Sequence, residues 1–189
     1  IHMIICIDPG HSGPAEPGAC AFGQTEAALA LAIAQKLAGI LSGEGHSVLL
    51  TREGDIEDDG LAFRADLANE QSADAFVSVH CNAAAYEAAK GVEVWCFPGS
   101  SAGNSLAQSV YNRLEAANYT LGRGVKSANF AVLRLTDMPA VLVECAFITS
   151  SADIAVLMDE DGQNRIVRAV ADGLLTWADI AGIACVDDS

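Results

Sequence analysis

Near its start the chain reads Ile4-Ile5-Cys6-Ile7-Asp8-Pro9-Gly10-His11-Ser12-Gly13. The first four of these residues form a continuous apolar run, which is typical of a strand buried on both faces. Proline and glycine then turn the chain, and the turn carries His11. We therefore predict a buried strand over residues 3–8 with a histidine just beyond its carboxyl end.

Strand and helix patterns alternate along the rest of the chain. Thr25 is a suitable N-cap for a helix that begins at Glu26 and ends near Gly43. Further helices are predicted after the acidic loop 55–60, at 105–117 and at about 161–178, and residues 119–129 are predicted to form a polar loop. Further strands are predicted at 47–51, 75–80, 91–97, 132–135 and 140–146.

This alternation predicts an α/β fold with a mostly parallel mixed sheet of about six strands and helices on both faces. We assign residues 4–182 to a single domain, residues 1–3 to a vector remnant and residues 183–189 to a C-terminal tail. His2 is therefore excluded from any site. Neither a signal peptide nor an apolar stretch of about 18–20 residues is apparent, so no membrane span is expected.

Composition narrows the possible functions. The formal net charge of −15 argues against binding to nucleic acid or to an anionic membrane, because both require a basic surface. The six cysteines include no C-x-x-C pair, so a zinc site made of cysteines is not expected. One disulfide stays possible on sequence alone.

Polar residues follow three of the apolar runs. His11 comes after the first strand, His80 ends the third and Glu144 ends the last. The carboxyl ends of parallel strands meet at one edge of a sheet, where open α/β sheets place their sites. Glu26, at the start of the first helix, returns to the same edge after the intervening loop.

These residues have the composition of a catalytic zinc site. Such a site has three protein ligands and an open position for water, whose pKa the ion lowers. His11, Glu26 and His80 are the predicted ligands, and Glu144 is the predicted base for the water proton. Taken singly, each histidine is more often a capping or core residue, and Glu26 is more often compensation for the helix dipole. The spacing suggests the site without specifying it.

The chain resembles the zinc-dependent N-acetylmuramoyl-L-alanine amidases of the bacterial cell wall, the Amidase_3 family. The matching motifs occur in the family's order from residue 4 to about 150. The chain departs from the family pattern at Ser12, where Gly is usual, and at Glu16, where Asp is usual, but neither departure removes a predicted ligand. Four blocks carry it: residues 5–13; Glu16-Pro17-Gly18-Ala19 with Glu26; Thr51-Arg52, Arg64, Ala68-Asn69 and Ser78-Val79-His80-Cys81-Asn82-Ala83; and Arg123-Gly124-Val125-Lys126, Val132-Leu133 and Met138-Pro139-Ala140-Val141-Leu142-Val143-Glu144.

The resemblance implies hydrolysis of the amide between N-acetylmuramic acid and L-alanine in peptidoglycan. It implies one Zn²⁺ per chain, held by His11, Glu26 and His80, with Glu144 as the catalytic acid and base. It also implies action at the bacterial cell wall by a secreted, periplasmic or phage-released protein. We expect a monomer that acts on the glycan-linked stem peptide and attaches to the wall through a separate module.

Several alternatives stay open at this point. Another zinc hydrolase of cell-wall material, a peptidase or a deacetylase, would share the metal site, and a non-catalytic wall-binding module or a regulated amidase would share the fold. No extra segment is apparent between His80 and Glu144, so we expect an accessible site. Arg64 either anchors its helix to the loop 55–59 or supports the site. Asn82 either orients substrate or caps the turn after His80, and Asp8 either bonds its own turn or steadies a ligand.

Overall fold

The computed structural model describes residues 2–57 and 60–182. The fold is organised around a six-stranded sheet. Its strands, in chain order, are β1 (Ile4–Pro9), β4 (Ser47–Leu50), β5 (Ala75–Asn82), β6 (Val92–Cys96), β7 (Gly122–Ser127) and β8 (Ala140–Phe147). A separate two-stranded hairpin consists of β2 (Cys20–Ala21) and β3 (Gln24–Thr25). The order across the main sheet is β4-β1-β5-β8-β6-β7.

All neighbouring strands in the main sheet are parallel except β6 and β8, which pair antiparallel. The predicted mostly parallel mixed sheet in an α/β domain is therefore confirmed. Strands β5 and β8 are neighbours at the centre of the sheet, so the site residues that they carry lie side by side.

Helices cover both faces of the sheet, as predicted. The six helices among the described residues are α1 (Glu26–Gly43), α2 (Gly60–Glu70), α3 (Ser101–Ala116), α4 (Ala131–Arg134), α5 (Ser151–Met158) and α6 (Glu160–Ala181). The larger apolar core lies between one face of the sheet and α1, α3, α5 and α6. A smaller core lies between the opposite face and α2 and α4. We call this opposite face the site face.

Two neighbouring predictions were wrong in the segment between α3 and β8. Residues 132–135, predicted as a strand, mostly form the short helix α4, whose Val132 and Leu133 are buried in the smaller core. The sixth strand is instead β7, inside the predicted loop 119–129. Its sequence is polar and rich in glycine because it is an edge strand with no buried residue, so it lacks the apolar pattern of a central strand.

The C-terminal helices are longer than the periodicity indicated. The predicted helix at 161–178 is observed as α6, and α5 precedes it in a segment for which no helix was predicted. Ser150 caps α5 by accepting a hydrogen bond from the backbone N–H of Asp153. Asp159 caps α6 in the same way through Gly162. Thr25 is the N-cap of α1, as expected from the sequence.

Helix α1 has 18 residues and a mean hydropathy of 1.2, so by length and composition alone it could cross a membrane. This differs from the expectation that no apolar stretch is long enough. The helix is nevertheless a core element, because Leu29, Ile33, Leu37 and Leu41 are buried against the sheet. An apolar helix whose large side chains are buried against a sheet in this way is typical of a globular domain.

The cysteines of the described residues are free thiols, and four of the five are buried. No disulfide is formed within residues 2–57 and 60–182, and Cys185 lies outside them. Met3 is fully buried in the larger core, and the assignment of residues 1–3 to a vector remnant stays a prediction. The proposed tail at 183–189 also lies outside the described residues.

Candidate metal centre

The three predicted ligands converge at one point. His11 lies on the turn after β1, Glu26 is the first residue of α1 and His80 lies near the end of β5. One potential ligand atom from each of the three lies within 4.8 Å of the others. His11 Nε2 is 2.9 Å from Glu26 Oε2, and His80 Nδ1 is 2.8 Å from Glu26 Oε1. The fold thus brings together residues that are far apart in the chain.

Glu26 is the centre of this group. Each of its oxygens accepts a backbone hydrogen bond as well as facing an imidazole: Oε2 from Ala19 N at 3.0 Å and Oε1 from Cys81 N at 3.1 Å. Burial acts to raise the pKa of the carboxyl, but the hydrogen bonds with His11 and His80 outweigh it and lower the pKa far below its ordinary value. Glu26 is therefore ionised and fixed in orientation, as a metal ligand must be.

Glu16 holds His11 from the other side. Its carboxylate oxygens lie 2.7 and 2.8 Å from His11 Nδ1, which leaves Nε2 facing Glu26. Burial opposes protonation of His11, but Glu26 and then Glu16 overcome it, so the pKa of His11 is raised. Carboxylates commonly orient a metal-binding histidine in this way. The contact of Glu16 with His11 was not predicted, and Glu16 was identified only as a replacement for Asp, although its position five residues after His11 was a signal.

Two glycines permit the close approach of these side chains. A Cβ atom on Gly10 would overlap the imidazole of His80, and one on Gly18 would come within 2.8 Å of Glu26 Oε2 and closer still to the ring of His11. Gly18 also has a φ of +67°, which favours glycine. His11 itself has a φ of 65°, an unusual backbone conformation for a residue with a side chain. Arg64 supports this turn by donating to His11 O at 2.7 Å.

Glu144 lies beside His80 in the register of β5 and β8. Its Oε2 atom is buried and has no hydrogen-bond partner within residues 2–57 and 60–182. Burial raises the pKa of Glu144 to about 7; His80 opposes this shift, whereas Glu26 and Glu93 reinforce it. The sequence placed His80 and Glu144 at strand ends, but the strands continue to Asn82 and Phe147. The register between β5 and β8 shifts just after His80, which marks a local irregularity at the site.

A cavity of about 580 Å³ opens over these residues on the site face. It is lined by the three predicted ligands and Glu144, together with Ser12, Asn82 and residues of α2 and α4. A larger cavity of about 1030 Å³ lies between α3 and α6 and contains none of the predicted site residues. The smaller cavity therefore holds the candidate site, and it is accessible, as expected.

The arrangement fits a divalent metal ion. Two imidazoles and one carboxylate form the donor set of many catalytic zinc sites. Glu144, whose Oε2 is unpartnered in the described part of the chain, lines the same cavity, where its carboxylate can accept a proton from a water molecule.

A family model described as N-acetylmuramoyl-L-alanine amidase, Amidase_3, matches residues 5–176. The chain belongs to this amidase family. Its predicted ligands and Glu144 all lie within the matched region.

Curated relatives share the domain over part of their length. The chain is 35% identical over 175 residues to N-acetylmuramoyl-L-alanine amidase LytC of Bacillus subtilis, covering 92% of this chain and 35% of LytC. It is 35% identical over 179 residues to the endolysin of Bacillus phage SPP1, covering 90% of this chain and 64% of the endolysin. The chain thus spans about a third to two thirds of these relatives.

Solved amidase structures match nearly the whole domain. An N-acetylmuramoyl-L-alanine amidase from Clostridium difficile 630 superposes with a TM-score of 0.89 at 35% identity, covering 94% of this chain and 97% of the other. The catalytic domain of CwlV from Bacillus (Paenibacillus) polymyxa var. colistinus superposes with a TM-score of 0.88 at 32% identity, covering 94% and 99%. These matches agree with the α/β architecture described above.

The remaining residues of the amidase motifs have definite partners. Arg64 donates to Asp8 at 2.8 Å and to Pro9 O at 2.8 Å, so it anchors α2 to the turn that carries His11. Asp8 accepts from Ser78 as well, and so supports the site through side chains rather than through its own turn. Asn82 accepts from Ala83 N at 2.8 Å, which caps the turn after β5. Whether Asn82 also orients substrate stays a prediction.

Proposed function

We propose that this chain is a zinc-dependent amidase that hydrolyses the bond between N-acetylmuramic acid and L-alanine in peptidoglycan. The observation that carries the proposal is the convergence of His11, Glu26 and His80 beside a carboxylate, Glu144, whose buried Oε2 has no partner among the residues that the structure describes. Membership of the amidase family and the names of the relatives support the same substrate.

His11, Glu26 and His80 would hold one Zn²⁺ ion. When bound, the ion supplies a Lewis acid that polarises a carbonyl group and lowers the pKa of water. The chain contributes a prearranged set of ligands, because Glu16 orients His11 and backbone N–H groups fix Glu26. This prearrangement reduces the entropy lost when the ion binds.

Glu144 would move the protons of the reaction. Its pKa of about 7 lets it accept a proton from water and return one to the departing alanine nitrogen at neutral pH. Its position is set by pairing with His80 on one side and Glu93 on the other. The overall reaction is a hydrolysis, in which water adds across the amide bond and gives a lactyl carboxylate and a free amine.

The biological setting follows from the substrate. We propose that the domain acts at the bacterial cell wall as a monomer and that a separate module attaches it there. The amidase LytC, for example, is a relative of which this chain covers 35%.

The substitution Glu144→Gln tests the proposal, because it keeps the shape of the side chain and removes the base. We expect metal content to be unchanged and release of stem peptides from purified peptidoglycan to fall about a hundredfold or more. Mass analysis of the digest identifies the bond that is cut. A free lactyl carboxylate with an intact stem peptide supports the amidase. Cuts inside the peptide would indicate a peptidase, and loss of acetyl groups would indicate a deacetylase.

A further inference from the structure

A second charged group, which the proposed reaction does not use, lies beside Glu144. Glu93 on β6 pairs with Glu144 on β8 in the antiparallel register, so both side chains are on the site face. Glu93 is buried and accepts from Arg123 Nε at 2.5 Å and Lys126 Nζ at 2.6 Å. It also accepts from Trp95 Nε1 at 3.2 Å and Asn82 Nδ2 at 3.3 Å.

The group carries a surplus positive charge. One carboxylate faces two cations, and burial of Glu93 is outweighed by Lys126 and Arg123, which lower its pKa and keep it ionised. About a third of the surface of each cationic side chain remains exposed, 32% for Arg123 and 33% for Lys126. Both cations can therefore meet a further anion from solvent. Two neighbouring, partly exposed cations are unusual on a domain whose formal net charge is −15.

Both cations are held in place by aromatic rings. The guanidinium of Arg123 lies 5.1 Å from the ring centroid of Phe147, and Lys126 Nζ lies 5.2 Å from that of Trp95. Cation–π contacts of this kind favour a single position for flexible side chains. The cations are thus prearranged for a ligand, which reduces the entropy lost on binding.

The cation pair borders the catalytic cavity. Asn82 and Phe130 line that cavity. Asn82 contacts Glu93, and the ring of Phe130 lies 5.5 Å from that of Trp95 in an edge-to-face arrangement. A substrate that reaches Glu144 and extends over β6 would therefore meet Arg123 and Lys126 immediately beyond the wall formed by Asn82 and Phe130.

We propose that Arg123 and Lys126 form a subsite for a carboxylate on the peptide portion of the substrate. This inference rests on the proposed amidase function, because it takes the reacting amide to lie over Glu144. Two donors on separate side chains suit the two oxygens of a carboxylate. The peptide portion of the substrate carries carboxylates, whereas the reacting amide is neutral. Glu93 is a positioning residue that holds the two donors side by side.

The test uses two muramyl peptides that differ in one group, a free carboxylate or a carboxamide on the residue that follows L-alanine. The variant is Lys126→Met, and Lys126→Arg is the conservative rescue. Arg168→Met is the matched control, since it removes the same charge from α6, where Arg168 contacts only Glu44 among the ion pairs of the described residues. Binding by calorimetry and steady-state kinetics are both measured with the zinc-loaded chain.

For the wild type we expect the carboxylate peptide to bind about fivefold more tightly than the carboxamide peptide. In Lys126→Met the two peptides should have equal Kd and equal KM values, while kcat should stay within about twofold of the wild-type value. Lys126→Arg should restore the preference for the carboxylate peptide. Arg168→Met should retain it. Equal binding of the two peptides by the wild type, or a preference that persists in Lys126→Met, would overturn the subsite.

The two proposals fail in different ways. Cleavage of both peptides without preference would refute the subsite and leave the amidase function intact. Preferential binding of the carboxylate peptide without cleavage would refute the amidase function and support an anion site at Arg123 and Lys126. An unfolded Lys126→Met variant is recognised by its circular dichroism, and Lys126→Gln then replaces it in the same comparison.

Discussion

At the scale of single residues, Glu26 determines the geometry of the site. Each of its oxygens faces one imidazole and accepts one backbone hydrogen bond. Burial lowers the pKa of each histidine, but Glu26 outweighs burial, so the pKa values of His11 and His80 are raised. A metal ion would have to displace any proton from the imidazole nitrogens that it binds, so metal affinity should fall as pH is lowered.

Glu16 should contribute to metal affinity without touching the metal. We expect Glu16→Ala to weaken zinc binding about 10- to 100-fold, since the ring of His11 would lose the carboxylate that orients it. Competition with a chromogenic chelator measures the affinity. The control is Glu57→Ala, which removes the same charge from an exposed position. Equal affinities for the two variants would show that the contact with Glu16 has no role in metal binding.

Glu144 should make the stability of the metal-free chain depend on pH. Its folded pKa of about 7 lies above the ordinary 4.5, so the folded chain binds more protons between these values and stability falls as pH rises through this range. At pH 8, Glu144→Gln should therefore raise the free energy of unfolding by about 3 kcal/mol, and at pH 4 by almost nothing.

Urea unfolding with a chelator present, at both pH values, measures this difference. The exposed Glu57→Gln serves as the control for loss of one negative charge. A gain in stability that is the same at pH 4 and pH 8 would mean that ionisation of Glu144 is not its cause.

At the scale of structural elements, the turn after β1 brings its backbone very close to a side chain of β5. Gly10 lies against the imidazole of His80, where a Cβ atom would overlap the ring. We expect Gly10→Ala to displace His80 and to weaken zinc binding by about tenfold or more. Gly39→Ala, in α1 with open space around it, should leave zinc binding unchanged and slightly stabilise the helix.

Zinc affinity and thermal unfolding of both glycine variants are measured together. Wild-type affinity in Gly10→Ala would show that the turn can move away from β5 without disturbing the ligands.

At the scale of the whole molecule, the net charge should affect binding to the cell wall, where we propose that the domain acts. The formal net charge is −15, and anionic wall polymers should repel it at low ionic strength. We expect binding to purified walls to strengthen as salt rises from about 20 to 150 mM, because screening lengths fall to about 8 Å. Walls stripped of anionic polymers are the control and should show little salt dependence. Binding that weakens steeply with salt would instead indicate attraction by basic residues.

The sequence alone was sufficient to predict the fold class and to select polar residues that the fold brings together, whereas their role as metal ligands stays a prediction. The apolar run before Asp8 predicted a buried strand, and the order of His11, Glu26, His80 and Glu144 along alternating elements predicted their common edge. These features are local, since periodicity, caps and turn residues act within a few positions of the chain. The motifs that resemble the amidases then specified which polar residues belong together.

Only the tertiary structure revealed which side chains support the site. Val132 and Leu133 form a helical turn rather than a strand because they fill the smaller core against α2, and β7 is a strand because it pairs with β6. Glu93 has no apolar pattern or motif that distinguishes it, yet the antiparallel pairing of β6 with β8 places it beside Glu144. Such contacts depend on strand order and register, which join residues distant in the chain and leave no periodic signal in the sequence.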